Sequence, residues 1–235
     1  MLIKSEFIKR EIKRVFVAFG GCILALHICF SGFSFGSSTF EIYGGYQTSP
    51  HSVVSGSQVN DNIRSPFEFT AGWLGKSFSM PPYYGYRFTK WTDKSGWGFD
   101  FTHSKAYADE TTLNESNLNI LEFTDGLNNL TFHRQHELKE YSNHLISYLG
   151  YGIGVCIPHV EFQKDEASPL TFGYQLGGPT LAFNTGLKYM VDDGKYIFSE
   201  YKFTASWLDV ELNVGGRLET ILLTNALNIG FGLSF

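Results

Sequence analysis

The chain has 235 residues, of which 17% are charged and 17% aromatic, and its formal net charge is -5. So little charge, beside 22 Phe, 13 Tyr and 25 Gly, argues against a solvated helical domain and points to many strands and tight turns. A mean hydropathy of -0.10 argues against a helical membrane bundle but not against a membrane barrel, in which only alternate residues touch lipid.

Residues 1–36 have the pattern of a targeting segment. Lys4, Lys9, Arg10, Lys13 and Arg14 make a basic start, residues 15–35 are almost free of charge, and Ser34-Phe35-Gly36 supplies small residues for cleavage. A cleaved signal peptide is the expectation. The competing reading is a transmembrane helix, since the apolar run is long enough to span. Cys22 and Cys29 would leave with the signal, so Cys156 would stand alone in residues 37–235, too few for a disulfide framework or a cysteine metal site. Loss of the basic start also leaves the remainder more acidic, which argues against nucleic acid as a partner.

From residue 37 the strands alternate. Phe40, Ile42 and Tyr46 lie opposite Glu41, Tyr43 and Gln47 in 40–48; Tyr84, Tyr86 and Phe88 oppose Arg87 in 83–91. Trp97, Phe99 and Phe101 oppose Gly98, Asp100 and Thr102 in 97–107. A weaker strand covers 127–136. In 144–158, Leu149, Tyr151, Ile153, Val155 and Ile157 oppose three glycines. Leu181, Phe183, Leu187 and Tyr189 share a face in 180–190, and Ile197, Tyr201, Phe203 and Trp207 oppose Glu200 and Lys202 in 196–207. The last strand alternates through Leu227, Ile229, Phe231 and Leu233 to Phe235, an ending that resembles the signal read by the barrel assembly machinery. The fold expected is all-β: an antiparallel up-and-down barrel of eight strands in the bacterial outer membrane, over residues 37–235, with long external loops.

Segments 92–96, 137–143 and 192–195 are short and polar, as periplasmic turns are; 108–124, 159–172 and 208–217 are longer and are expected as external loops. The strand-like piece 66–78 is left over by the count of eight and is placed in the first external loop as a short hairpin.

Inward Arg87, Asp100, Glu200 and Lys202 must pair inside a small packed barrel, which makes a structural ion-pair network the first reading and a polar pocket the second. The sharper signal is at the outer rim. His51, His103 and His159 fall near the outer ends of upward strands, with Glu122, Asp125 and Glu161 at the same level. Imidazole and carboxylate together suit a divalent transition metal or a general base. The bland alternative is that these are interfacial polar residues. Strict alternation sends His103 and His159 outward and His51 inward, with bulges able to upset the parity. On that reading His103, Asp125 and His159 form one outward site against lipopolysaccharide. A serine hydrolase using Ser52 or Ser104 is a weaker option, because Ser104 and His103, being adjacent, point to opposite faces.

Several short motifs occur in order: Tyr43-Gly-Gly-Tyr-Gln-Thr-Ser-Pro-His51, Gly75-Lys-Ser-Phe78, Met80-Pro-Pro-Tyr-Tyr-Gly85, Asp100-Phe-Thr-His103, Leu121-Glu-Phe-Thr-Asp-Gly126, Ile157-Pro-His159 and Glu200-Tyr-Lys-Phe-Thr204. Together they resemble the rhizobial-type outer-membrane lipid A oxidases over most of residues 37–235. The resemblance implies oxidation of the proximal glucosamine of lipid A to 2-aminogluconate, with molecular oxygen as co-substrate. Its matching polar positions are His51, Asp100, His103, Glu122, Asp125, His159 and Glu200. Oxygen chemistry on a sugar with no nucleotide fold in sight suggests a bound divalent transition metal. His51, His103 and His159 are the candidate ligands, and His103, Asp125 and Glu122 the candidate catalytic residues. A non-catalytic structural or adhesive barrel and a lipid A hydrolase remain the competing functions.

Overall fold

The computed structural model describes residues 37–60 and 63–235. The expected signal segment 1–36 lies outside them. Ten strands form the sheet: β1 (Ser38–Asn60), β2 (Ile63–Leu74), β3 (Tyr84–Thr92), β4 (Ser95–Ala108), β5 (Ile120–Ser142), β6 (Leu145–Gln163), β7 (Thr171–Tyr174), β8 (Gly178–Asp192), β9 (Lys195–Leu212) and β10 (Gly216–Ser234). One helix, α1 (Glu110–Ser116), joins β4 to β5. Among the described residues no helix is long and apolar enough to cross a membrane.

Eight strands close a ring in the order β1, β3, β4, β5, β6, β8, β9, β10, and back to β1 through the pairing that runs from Thr39 with Ser234 to Ser57 with Arg217. Every pairing is antiparallel. Closure leaves no unpaired edge, which lipid demands. The expected eight-stranded barrel is therefore the observed one. Its short hairpins at 93–94, 143–144 and 193–194 mark the periplasmic end by the usual rule for such barrels.

The two remaining strands correct the expected loops. Residues 66–78 do not form a separate hairpin inside a loop: β1 runs twelve residues past 48, and β2 pairs with that extension from Ser49 with Trp73 to Asn60 with Ile63. β2 then meets β4 at Trp73 with Ala108 and Leu74 with Tyr107. Residues 75–83 leave the sheet, after which β3 takes the place of β2 nearer the periplasmic end. β7 continues the wall above β8 in the same way, pairing with the outer part of β6. The "weaker" strand 127–136 extends over 120–142. Residues 108–124 and 208–217 are mostly strand and helix, whereas in 159–172 the expected loop is kept over 164–170, between β6 and β7. Pro50, which has no N–H to give, sits between the register shifts that β1 shows against both of its neighbours.

These extensions have a physical cause in the pattern, which inverts part-way up the wall. In the periplasmic part the interior is charged and the outside apolar. Arg87, fully buried, donates to Glu41 at 2.7 Å, Asp100 at 2.8 Å and Glu200 at 2.8 Å. Lys202 pairs with Asp100 at 2.9 Å, and Lys188 lies 3.7 Å from Glu41. Three cations thus stand among three carboxylates, with Tyr43, Tyr148, Tyr196, Asn184 and Asn228 completing their hydrogen bonds. Outside, exposed Phe40, Trp97, Phe132, Ile153, Phe183, Ile197 and Phe231 form the belt. Farther out the interior is apolar, built on Trp73, Phe123, Leu127, Val160, Leu208 and Leu218. The outer face there carries charge that the belt lacks: Asp209, Arg217 and Glu219 form ion pairs on it, beside exposed Val53 and Leu176. An apolar outside is stable only against hydrocarbon and a polar one only against water. The inversion therefore marks the outer boundary of the membrane, and the chain is an outer-membrane β-barrel whose strands continue beyond it.

Candidate functional site

On β4, β5 and β6 the apolar belt ends at Phe101, Leu130 and Ile157; the next outward positions are His103, Asn128 and His159. The wall is irregular at this level. β5 is paired to β6 at Glu122 with Glu161 and at Leu127 with Pro158, so residues 123–126 face only 159 and 160. Against β4 the register shifts between Ser104 and Ala106. Pro158, without an N–H, suits the edge of such a bulge. Gly126 carries it with φ +123, and a Cβ there would come within 2.6 Å of His103 Nδ1. Only glycine fits so close an approach at that φ.

The bulge brings Asp125, His159 and Glu161 together: one ligating atom from each lies within 4.8 Å of the others. Asp125 is exposed, His159 buried and Glu161 between the two. His159 Nδ1 is 3.3 Å from Glu161 Oε1 but is not aligned for a hydrogen bond. The ring is clamped edge-on between Phe172 and Tyr174 at centroid distances of 4.5 and 4.8 Å. Tyr174 Oη donates to the Asp125 carbonyl at 2.7 Å, and Thr124 Oγ1 donates to Glu161 Oε1.

Beside this cluster, His103 stacks on Tyr84 at 4.9 Å and meets Asn128 Oδ1 at 2.9 Å through Nδ1. Its Nε2 is buried without a hydrogen-bond partner. Glu122, directly across the ladder from Glu161 and Tyr107, lies beyond the apolar belt. Partial burial, and then the Glu161 carboxylate, push its carboxyl above the usual range. Lys76 sits 3.8 Å over the Tyr107 ring, and Lys105 donates to the Ser79 carbonyl at 2.8 Å.

The three expected metal ligands do not form one group. His51 is exposed on β1, where the space over Gly72 is shared by its Nε2 and the Asp109 carboxylate. It is neither inward nor beside His159. Among the described residues the single group of three ligating side chains is Asp125, His159 and Glu161. His103 and His159 do lie on the outward face, as parity suggests, yet each is only 3% exposed. Aromatic neighbours from other strands cover them, which alternation within one strand does not register. The expected catalytic residues His103, Glu122 and Asp125 share this face. Asp100 and Glu200 belong to the interior ion pairs. Tyr174 and Asn128 stand in none of the motifs of the sequence, and Thr124 is in one only as part of 121–126.

No family model and no curated protein matches the chain by sequence. Among solved structures, the chain is similar to Neisserial surface protein A (11% identity, 86% of this chain and 100% of that one, TM-score 0.47). It is also similar to the N-terminal β-barrel domain of Pseudomonas aeruginosa OprF (11%, 85% and 98%, TM-score 0.44) and to the outer membrane protein AlkL (14%, 87% and 92%, TM-score 0.43). Likeness at this level concerns the barrel outline and says nothing of function.

Proposed function

We propose that this barrel works on lipid A through its outer wall, as an oxygen-dependent oxidase that converts the proximal glucosamine to 2-aminogluconate. The observation that carries this reading is the position of the His103, Glu122 and Asp125 side chains. His103 and Asp125 lie on the outward face near the level where the belt ends, with Glu122 farther out, opposite Tyr107 and Glu161; a lipid A headgroup would lie at this level with its acyl chains against the wall. The ordered motifs quoted above add the choice of reaction. His103 Nε2, buried without a hydrogen-bond partner, would accept a sugar hydroxyl proton once its aromatic cover shifts to admit the headgroup. Molecular oxygen would take the two electrons and two protons released as the anomeric carbon is oxidised, and water would supply the oxygen atom that the sugar gains. A divalent transition metal would supply the activation of oxygen.

A second reading is a non-catalytic structural or adhesive barrel. It is favoured by the interior, filled by ion pairs below and apolar side chains above, and by the strands that project beyond the belt with both charged and apolar side chains exposed.

Mass spectrometry of lipid A after incubation with the refolded barrel, under air and without oxygen, separates these. Gain of one oxygen atom on the proximal sugar, only under air, supports the oxidase. Unchanged lipid A in both arms leaves the structural barrel. Loss of an acyl chain in both arms would make the protein a hydrolase.

A further inference from the structure

We infer that Asp125, His159 and Glu161 form a binding site for one divalent first-row transition metal ion on the outer wall of the barrel. The inference deepens the proposed oxidase by giving its metal a ligand set, but the geometry that carries it is independent of any reaction. Three electronegative atoms converge within 4.8 Å. His159 is 97% enclosed, since its exposure is 3%, and its Nδ1 faces this group with no hydrogen bond. This nitrogen stands 3.3 Å from Glu161 Oε1, close enough for a charge contact but without hydrogen-bond alignment, and a cation between the two would satisfy both.

The surroundings hold the donors in place. Phe172 and Tyr174 fix the plane of the His159 ring. Thr124 donates to Glu161, and Tyr174 donates to the backbone of Asp125. Such outer partners are what orient ligands at metal sites. Bonds of about 2.0–2.2 Å to a metal require the three atoms to draw closer than they stand. Asp125 is exposed on a bulge, so its side chain is free to make that movement. One imidazole nitrogen with two carboxylate oxygens suits borderline to hard divalent ions such as Mn²⁺ rather than soft ones. The exposed side of Asp125 leaves coordination positions open on the face toward the headgroups. This set also differs from the three histidines expected from sequence: two of its ligands are carboxylates, and neither His51 nor His103 belongs to it.

The test uses the full barrel, refolded in detergent free of lipopolysaccharide, with Mn²⁺ as the probe. Metal content after gel filtration gives the stoichiometry. Pulsed EPR reads the coupling of bound Mn²⁺ to an imidazole nitrogen. The expected result is one Mn²⁺ per barrel with a single nitrogen coupling. That coupling should vanish in His159→Gln, and affinity should fall at least about ten-fold in Asp125→Asn. Asp125 is exposed, so this variant is expected to fold whatever happens to His159→Gln. Asp209→Asn, on a different part of the wall, should leave binding unchanged. No retained Mn²⁺ in the wild type, or equal affinity in wild type and Asp125→Asn, overturns the site. Because the readout is metal content and spectroscopy, a barrel that binds Mn²⁺ yet leaves lipid A unchanged refutes the oxidase and keeps the site.

Discussion

His103 and Asn128 face each other directly across the β4–β5 ladder, Nδ1 to Oδ1 at 2.9 Å. With the amide oxygen accepting, Nδ1 carries the proton and Nε2 keeps its lone pair. His103→Gln is expected to lower the rate of lipid A oxidation about 100-fold, in the range of a lost general base, while the barrel still folds. Asn128→Leu should lower it less, because the ring stays in place on Tyr84 but its tautomer is no longer set. Product formation by mass spectrometry checks both; full activity in His103→Gln would remove His103 from the reaction.

Gly126 belongs to the same relationship. Alanine there meets His103 at 2.6 Å and must hold a φ of +123. Gly126→Ala should destabilise the barrel by about 1–3 kcal/mol, read as a lower urea midpoint in refolding experiments. A neutral outcome would mean that the bulge relaxes without cost.

Arg87 balances the interior. Its guanidinium joins Glu41, Asp100 and Glu200, all buried. Arg87→Met leaves excess negative charge among buried carboxylates and should cost about 3–5 kcal/mol. Adding Glu200→Gln should recover part of that loss, which a double-mutant cycle measures directly.

The same interior predicts no channel. In planar bilayers the refolded barrel should give no stepwise conductance, because side chains fill the lumen, as expected for a barrel of eight strands. Reproducible ohmic steps would show that the ion-pair network opens.

Asp109 caps α1, accepting from the Thr112 backbone N–H at 2.8 Å. Hydrogen bonds from the Thr112 side chain and then its backbone hold the carboxyl below the usual range. A depressed carboxyl stabilises at pH values above its unfolded pKa of about 3.9 and loses that contribution as the pH falls through its lower folded value. Protection factors for the amides of 110–116, corrected for the intrinsic exchange rate, should therefore fall on acidification below about pH 4. Asp109→Ala should remove the pH dependence at a cost of about 1 kcal/mol of local stability.

Alternation is a property of neighbouring residues, so the apolar outside set from Phe40 to Leu233 and the inward place of Arg87, Asp100, Glu200 and Lys202 were legible in the chain. So was the count of eight strands, because turns such as 93–94 are local too. The same local signal missed the extensions of β1, β5, β6 and β9. Beyond the membrane boundary the pattern inverts, and apolar-in with polar-out reads as a loop when the lipid-facing pattern is the one sought. Which carboxylates Arg87 meets depends on three strands far apart in sequence. The grouping of Asp125 with His159 and Glu161, rather than of three histidines, depends on residues 123–126 facing only 159 and 160. Alternation along one strand says which way a side chain points, but its neighbours are set by register, and register exists only once the strands have paired.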